Sequence, residues 1–453
     1  MSRSTGAVVV AGILVLSSCG GVGGGGGVGG GGGGGEGRTA GQALTTMGFG
    51  LPDEIASVRV DLFKKANPQV TVNINEGAFD EQAFLSAVAA GNPPDVVYLS
   101  RDRIGSYAAR GAIQPIDACV SRESIPTGDY YPAAQAQVKY GGSWYGIPEF
   151  YNSVVLIVND KAAEDAGVDP ASIDTSDWDA LGRLAEKMSK ADGGRIERFG
   201  FNPKLPEFLP LWAKANGADL LSADGRTAAL GDPKVVEALR YAHGLVERQG
   251  GWKRLKAYVD TWDFFGGENP FVKDQVGMML SEQFLVSSMA GSSPDVGITV
   301  LPFRDRRGEP VNYVGGNAWV VPKGARNPEA ACRWMKTMTA ADTWIAAARA
   351  RQDKRAQEGK VNIGTYTGNV KADETIFGEI VRPSGRKPFD DAVKVIREVQ
   401  PVGFAVPQSA AAAEFKKAWE DAGTRVLLEG QAPAEALEQA QAEAQKAIDE
   451  AGS

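Results

Sequence analysis

The sequence is poor in the residues that most often do chemistry. Among 453 residues there is one histidine, His243, and there are three cysteines, Cys19, Cys119 and Cys332. That leaves little material for a metal centre or a nucleophilic site, and neither HExxH nor GxSxG occurs. His243 stands in a helical pattern (233–249, PKVVEALRYAHGLVERQ) beside Val235, Leu239, Ala242 and Val246, where packing accounts for it. There is no P-loop, so no energy source is built into the chain. Nor is there an excess of basic residues: the net charge is −8, against the basic stripe of a nucleic-acid binder. No metal, cofactor or nucleic acid is expected. A glycosidase working with two carboxylates needs no histidine and is left open by motif alone.

Glycine, by contrast, is abundant, with 57 residues. The stretch 20–37 is nearly pure glycine and can neither bury surface nor hold one conformation, which makes it a flexible tether. It matches GxGxxG trivially, with no strand before it and no helix directly after, so the match carries no nucleotide reading. Ahead of it, Arg3 and the apolar run 6–16 (GAVVVAGILVL), too short to span a bilayer, read as a targeting segment. The following 16–19, LSSC, resembles the bacterial lipobox, whose cysteine receives lipid. This implies cleavage after residue 18, lipidation of Cys19, and an exported body held at the outer face of the cell membrane only through that anchor.

The body alternates helix and strand. Residues 45–50 (TTMGFG), 70–74 and 95–99 (DVVYL) read as strands, and 52–67 and 79–90 as amphipathic helices. This alternation predicts an α/β fold with a largely parallel sheet, and ligands bind outside the carboxyl ends of such strands. That places 98–103 (YLSRDR) at a site edge. Further on, 139–160 (KYGGSWYGIPEFYNSVVLIVND) joins an aromatic loop to a buried strand at 154–158, closed by Asn159 and Asp160 as a helix cap. Helices are expected at 178–189, 206–217 and 233–249, and a strand at 275–280.

The run 91–116, GNPPDVVYLSRDRIGSYAARGAIQPI, resembles the solute-binding proteins of bacterial sugar ABC transporters. So do YGIP with the strand after it, 177–188 (DWDALGRLAEKM), Asn216-Gly217-Ala218, 274–284 (DQVGMMLSEQF), 296–303 (VGITVLPF), 313–334 and the final helix at 433–451. The matches follow the family's order along nearly the whole mature chain. The resemblance implies two α/β lobes of the type II periplasmic-binding-protein fold with the ligand between them. It places 40–152 with 312–350 in the first lobe and 153–303 with 370–453 in the second, with crossovers at 304–311 and 351–369. It implies a carbohydrate ligand, from mono- to oligosaccharide, delivered by a monomer to membrane permease subunits and no catalysis. A polyamine or other small polar solute is the alternative.

Sugars show hydroxyl pairs at the ring edge and C–H patches on the ring face, so a site needs carboxylates, amides and arginine together with aromatic rings. The resemblance puts Asp102 and Arg103 on the sugar, Glu149, Phe150, Tyr151 and Asn152 on the cleft floor, and Phe284 where the family stacks an aromatic. Ser281-Glu282-Gln283 departs from the usual small turn before that aromatic. Tyr98, Trp144, Tyr145, Glu207 and the loop 261–270 (TWDFFGGENP), with Trp262, Asp263, Phe264 and Glu268, supply the same chemistry. Gly315, Gly316 and Asn317 would let backbone approach a ligand. By the family's topology Cys119 and Cys332 share a lobe, which allows a disulfide in an exported protein.

Overall fold

The computed structural model describes residues 42–452; the targeting segment, Cys19 and the glycine tether lie outside them. In chain order the first lobe opens with β1 (Gln42–Met47), α1 (Glu54–Ala66), β2 (Val70–Ile74), α2 (Glu81–Ala89), β3 (Val96–Ser100), α3 (Ile104–Ala109) and α4 (Asp117–Arg122), and reaches β4 (Gly146–Pro148). The second lobe follows with β5 (Asn152–Asn159), α5 (Trp178–Met188), β6 (Lys190–Asp192), β7 (Arg195–Asn202), α6 (Leu209–Ala215), α7 (Pro233–Arg248), β8 (Val276–Glu282), α8 (Phe284–Ser292), β9 (Ile298–Leu301) and β10 (Asn312–Gly315). The chain then returns through β11 (Asn317–Val320), α9 (Pro328–Thr339) and α10 (Ala341–Gln357). It ends with α11 (Lys387–Val399), β12 (Gly403–Phe404), α12 (Ala412–Thr424) and α13 (Pro433–Ala451).

Local chemistry starts these helices where the sequence suggests. The Asp53 carboxylate accepts the Ala56 N–H of α1 at 3.1 Å, and Asp177 accepts the Ala180 N–H of α5 at 2.9 Å. Asn159 caps the short helix after β5 through the N–H groups of Lys161 and Ala162. In the first sheet β1 lies parallel between β2 and β3, while β11 runs antiparallel between β3 and β4. The second sheet is built around β5, buried on both faces. On one side is β8, antiparallel, then β7 and β6; on the other, β9 and β10 follow one another along the same edge, with β12 beyond β10. Each sheet has its own apolar core. A disulfide joins Cys119 in α4 to Cys332 in α9, with Cα atoms 5.6 Å apart.

Three stretches differ from the expected layout. The chain passes back to the first sheet at Gly316, between β10 and β11, and not over 304–311. There the Asp305 carboxylate accepts the N–H groups of Arg307 at 2.8 Å and Glu309 at 3.0 Å, folding a turn that returns the chain to β5. Residues 351–357 are the end of helix α10, not a crossover. Only its first half has a buried face (Thr343, Trp344, Ala347, Ala348), and the second half is held to α1 by Arg351 and Lys354 against Asp53 and Glu54. Charge therefore replaces the apolar period there. Ile363 and Tyr366 already belong to the second core, residues 370–380 pack with α10 and Ile55 of α1 through Ala372, Ile376 and Ile380, and the chain is again on the second core at Phe389.

Candidate functional site

The site is the cleft where the two sheets meet, and one guanidinium organises its floor. Arg101 follows β3 and is fully buried. Its Nε donates to Gln137 at 2.9 Å, and its terminal nitrogens donate to the carbonyls of Phe150 and Gly315 and, at 3.3 Å, of Asn317. The Arg101 N–H itself donates to Gly316 O at 3.0 Å. One side chain thus grips two of the chain passages between the lobes, 149–151 and 315–317. Gly316 is required there: its φ is +133°, and a Cβ would sit 2.3 Å from Phe150 O and 2.7 Å from Arg101 Nη1. The close approach at 315–317 is to the protein's own backbone.

Several expected ligand contacts are committed to this hinge. Glu149 is buried, paired with Arg59 at 2.9 Å, and accepts the Trp319 indole N–H. Phe150 packs its ring on Trp344 of α10 at 5.2 Å. Tyr151 stacks on Tyr131 at 4.5 Å and donates its hydroxyl to Gln400 O at 3.2 Å. Tyr98 lies against Trp319 at 4.9 Å and Phe49 at 5.8 Å. Trp144 is buried beneath Lys139, and Tyr145 meets Tyr140. Glu149 and Tyr151, with their polar atoms paired and buried, have nothing left to offer a ligand. Tyr98, Tyr145 and Phe150 are half-buried against these neighbours.

The residues that do converge come from strand ends. Asn152 opens β5 opposite Gly315 and hydrogen-bonds Glu282, the last residue of β8. Glu207 is exposed and pairs with Lys204 at 3.2 Å. Phe284 opens α8, is 42% exposed, and stacks on Phe265, itself 59% exposed, with ring centres 5.7 Å apart. Phe264 joins them with Lys204 over its ring at 5.5 Å. Trp262 is buried behind this wall against Tyr258 and Phe264, and Asp263 spends its carboxylate on the Gly266 N–H at 3.0 Å. Glu268 pairs with Lys273.

Asp102 and Arg103 occupy the rim. The Asp102 carboxylate accepts from Lys416 of α12 at 2.7 Å, and Arg103 donates to Glu81 of α2. Burial alone would raise the Asp102 carboxyl; the Lys416 ammonium outweighs it and holds it below the usual range. Around this pair the lobes touch. Gly105 N–H donates to Gln408 Oε1 at 2.7 Å, Gln408 Nε2 donates to Arg101 O at 3.1 Å, and Ala413 N–H donates to Ser106 Oγ at 2.9 Å.

Tyr313 of β10 and Glu282 are functional candidates that sequence reasoning missed. Tyr313 lies between Phe208 at 6.4 Å and Phe404 at 5.6 Å. Burial, and then Asp102, Glu420, Glu282 and Glu207 around it, push its hydroxyl up. Glu282 is pushed up to about 7, by burial first and by Glu207 second. The departure from the small turn before Phe284 was its only sequence signal. Nothing local marks Lys416, which reaches Asp102 across 314 residues. A groove of about 950 Å³ lies between Lys139–Gly141, Asp224–Arg226 and Gly403–Ala410 and carries none of the expected residues.

The bacterial extracellular solute-binding protein pattern matches residues 59–353 of this chain. The chain belongs to that family. It is 23% identical over 276 residues to a maltotriose-binding protein of Pyrococcus abyssi, covering 60% of this chain and 56% of that protein. It is 24% identical over 282 residues to the maltodextrin-binding protein MdxE of Bacillus subtilis, covering 60% of this chain and 63% of the relative. A maltooligosaccharide ABC transporter solute-binding lipoprotein of Streptococcus pneumoniae is 22% identical over 295 residues, 62% of this chain and 63% of its own. The matches therefore span roughly three-fifths of these relatives' length. Among solved structures, CpMnBP1 with mannotriose bound superposes with a TM-score of 0.71 at 25% identity, covering 89% of this chain and all of the other. A Listeria monocytogenes ABC substrate-binding protein in complex with cycloalternan also gives 0.71, at 20% identity, covering 90% of this chain and 99% of that one. The fold is thus the two-lobed type II arrangement of these binding proteins.

Proposed function

We propose that this solute-binding protein captures an oligosaccharide between its lobes and passes it to an ABC importer. One observation carries the reading: an exposed, stacked phenylalanine pair, Phe265 with Phe284, directly follows Glu282, which Asn152 hydrogen-bonds and Glu207 acts on. That pairs an apolar face for sugar C–H groups with carboxylate and amide acceptors for hydroxyls. Relatives named for maltotriose, maltodextrin and maltooligosaccharide, and a structural neighbour holding mannotriose, support the same ligand class. The contacting set is Asn152, Glu207, Phe264, Glu282, Phe284 and Tyr313, with Asp102 and Lys416 closing over it.

The remaining assignments complete the reading. Cys19 is lipidated, and the body stands at the extracellular face on its glycine tether, as the lipoprotein relative's name also suggests. It works as a monomer, hands its ligand to permease subunits, and does no chemistry on it. Binding favours the closed arrangement of the lobes by the difference in affinity between the two states. A thermal-shift panel of α- and β-linked oligosaccharides on the purified protein tests this, with a raised melting temperature expected for at least one. Glycoside turnover by the same preparation would contradict the binding-only reading.

A further inference from the structure

Four carboxylates around the cleft, Asp102, Glu207, Glu282 and Glu420, are served at ion-pair distance by two lysines, Lys204 and Lys416. Asp102 has Lys416 at 2.7 Å, Glu207 has Lys204 at 3.2 Å, and Glu420 has Lys416 at 3.9 Å. Glu282 forms no ion pair among the described residues; Asn152 hydrogen-bonds it, and Lys204 and Arg101 act on it through their charge alone, too weakly to offset burial and Glu207. The elements packed against Glu282 bring the following groups to it. From β5 comes neutral Asn152. From β10 come Tyr313 and Gly315, whose Cβ position lies 3.2 Å from Glu282 Oε1. The loop before α6 brings Lys204, already engaged by Glu207, and Glu207 itself, which adds repulsion. From the turn after β3 comes Arg101, whose donors go to Gln137 and to the carbonyls of Phe150, Gly315 and Asn317.

A carboxylate withdrawn from water without a counter-charge is costly, and proteins seldom keep one for packing alone. Glu282 also stands at the carboxyl end of β8, two residues before exposed Phe284, and ligands of such sheets bind outside the carboxyl ends of strands. We propose that the ligand is a saccharide bearing a protonated amine, with Glu282 as its counter-ion and Phe265 with Phe284 as the wall beside it. This rests on the carbohydrate reading above and narrows it. The Glu282 carboxyl, held near 7 while the cleft is empty, gives up its proton when an ammonium arrives, because a nearby cation favours the ionised form.

The test is calorimetry on the purified protein with two matched pairs: cellotetraose against the glucosamine tetramer, and maltotetraose against its amino-deoxy derivative at the primary carbon. At about pH 6.5, in the pair whose linkage fits, the amine-bearing sugar is expected to bind about tenfold more tightly. Repetition in buffers of different ionisation enthalpy is expected to reveal proton release. Glu282→Gln removes the preference and the proton release, while Glu282→Asp keeps the preference. Equal or weaker binding of the amine member by the wild type overturns the inference and leaves the carbohydrate reading standing. Binding of spermidine with no saccharide bound, or no binding at all, removes both.

Discussion

Glu149 and Glu282 show how two carboxylates near one cleft come to do different work. Glu149 is enclosed with Arg59, Trp319 and Tyr98, and Arg59 lies 4.0 Å from the centre of the Trp344 ring. Replacing it by glutamine leaves a buried guanidinium without its counter-charge. Glu149→Gln is therefore expected to cost about 3 kcal/mol or more in urea unfolding, with ligand affinity of the folded protein little changed. A variant that kept its stability and lost affinity would restore Glu149 to the ligand. Glu282 titrates in the opposite sense to an ordinary paired carboxylate. Its folded pKa is about 7 against 4.5 unfolded, so between those values the folded protein holds a proton that the unfolded chain has released. Stability of the empty protein thus falls as pH rises through that window. Asp373, buried in the hinge and pushed up to about 7 by burial, acts with the same sign. Glu282→Gln is expected to equal the wild type near pH 4 and to exceed it by on the order of 2 kcal/mol near pH 8, measured by urea unfolding at both pH values.

At the scale of elements, the edge where α12 meets α3 is the clearest place to perturb closure without touching the ligand wall. A Cβ on Gly105 would lie 2.3 Å from Ser409 O, and that approach cannot give because the facing atom is backbone. Gly105→Ala is expected to hold the lobes apart, raise the radius of gyration in X-ray scattering with ligand present, and weaken ligand binding about tenfold. Gly244→Ala, in a helix with open space around its Cβ, serves as control and is expected to be neutral or slightly stabilising. An unchanged scattering curve and affinity for Gly105→Ala would show that this edge does not limit closure.

Much of this layer is legible in the sequence. Strand β5 is a β-branched apolar run with a capping Asn159 behind it, and α5 and α7 carry apolar periods bounded by Asp177 and Asp232. The second half of α10 is not legible, because its packing against α1 is ionic. The site is legible by position and less so by residue. The family resemblance points to Asn152 and Phe284, while the distinction between Glu149, paired with Arg59, and Glu282, which has no ion-pair partner among the described residues, depends on which side of the hinge a side chain leaves. Contacts such as Lys416 with Asp102 join segments far apart in the chain, and no local period encodes them.

At the scale of the whole molecule, two sheets with separate cores are connected through backbone passages held by Arg101, and they touch again along α12. Such a molecule can change the angle between its lobes while each core stays packed, since the passages at 149–151 and 315–317, though partly buried, belong to neither lobe's core cluster. A ligand bridging Asn152, Glu207, Glu282 and Phe284 with Asp102 and Lys416 would stabilise the closed form through contacts to both sides. The most direct measurement is isothermal titration of the purified protein with oligosaccharides of three and four units, neutral and amine-bearing. Saturable binding with a stoichiometry near one, lost on Phe284→Ala together with Glu207→Ala, is the predicted result. No heat and no saturation with any saccharide would contradict the account.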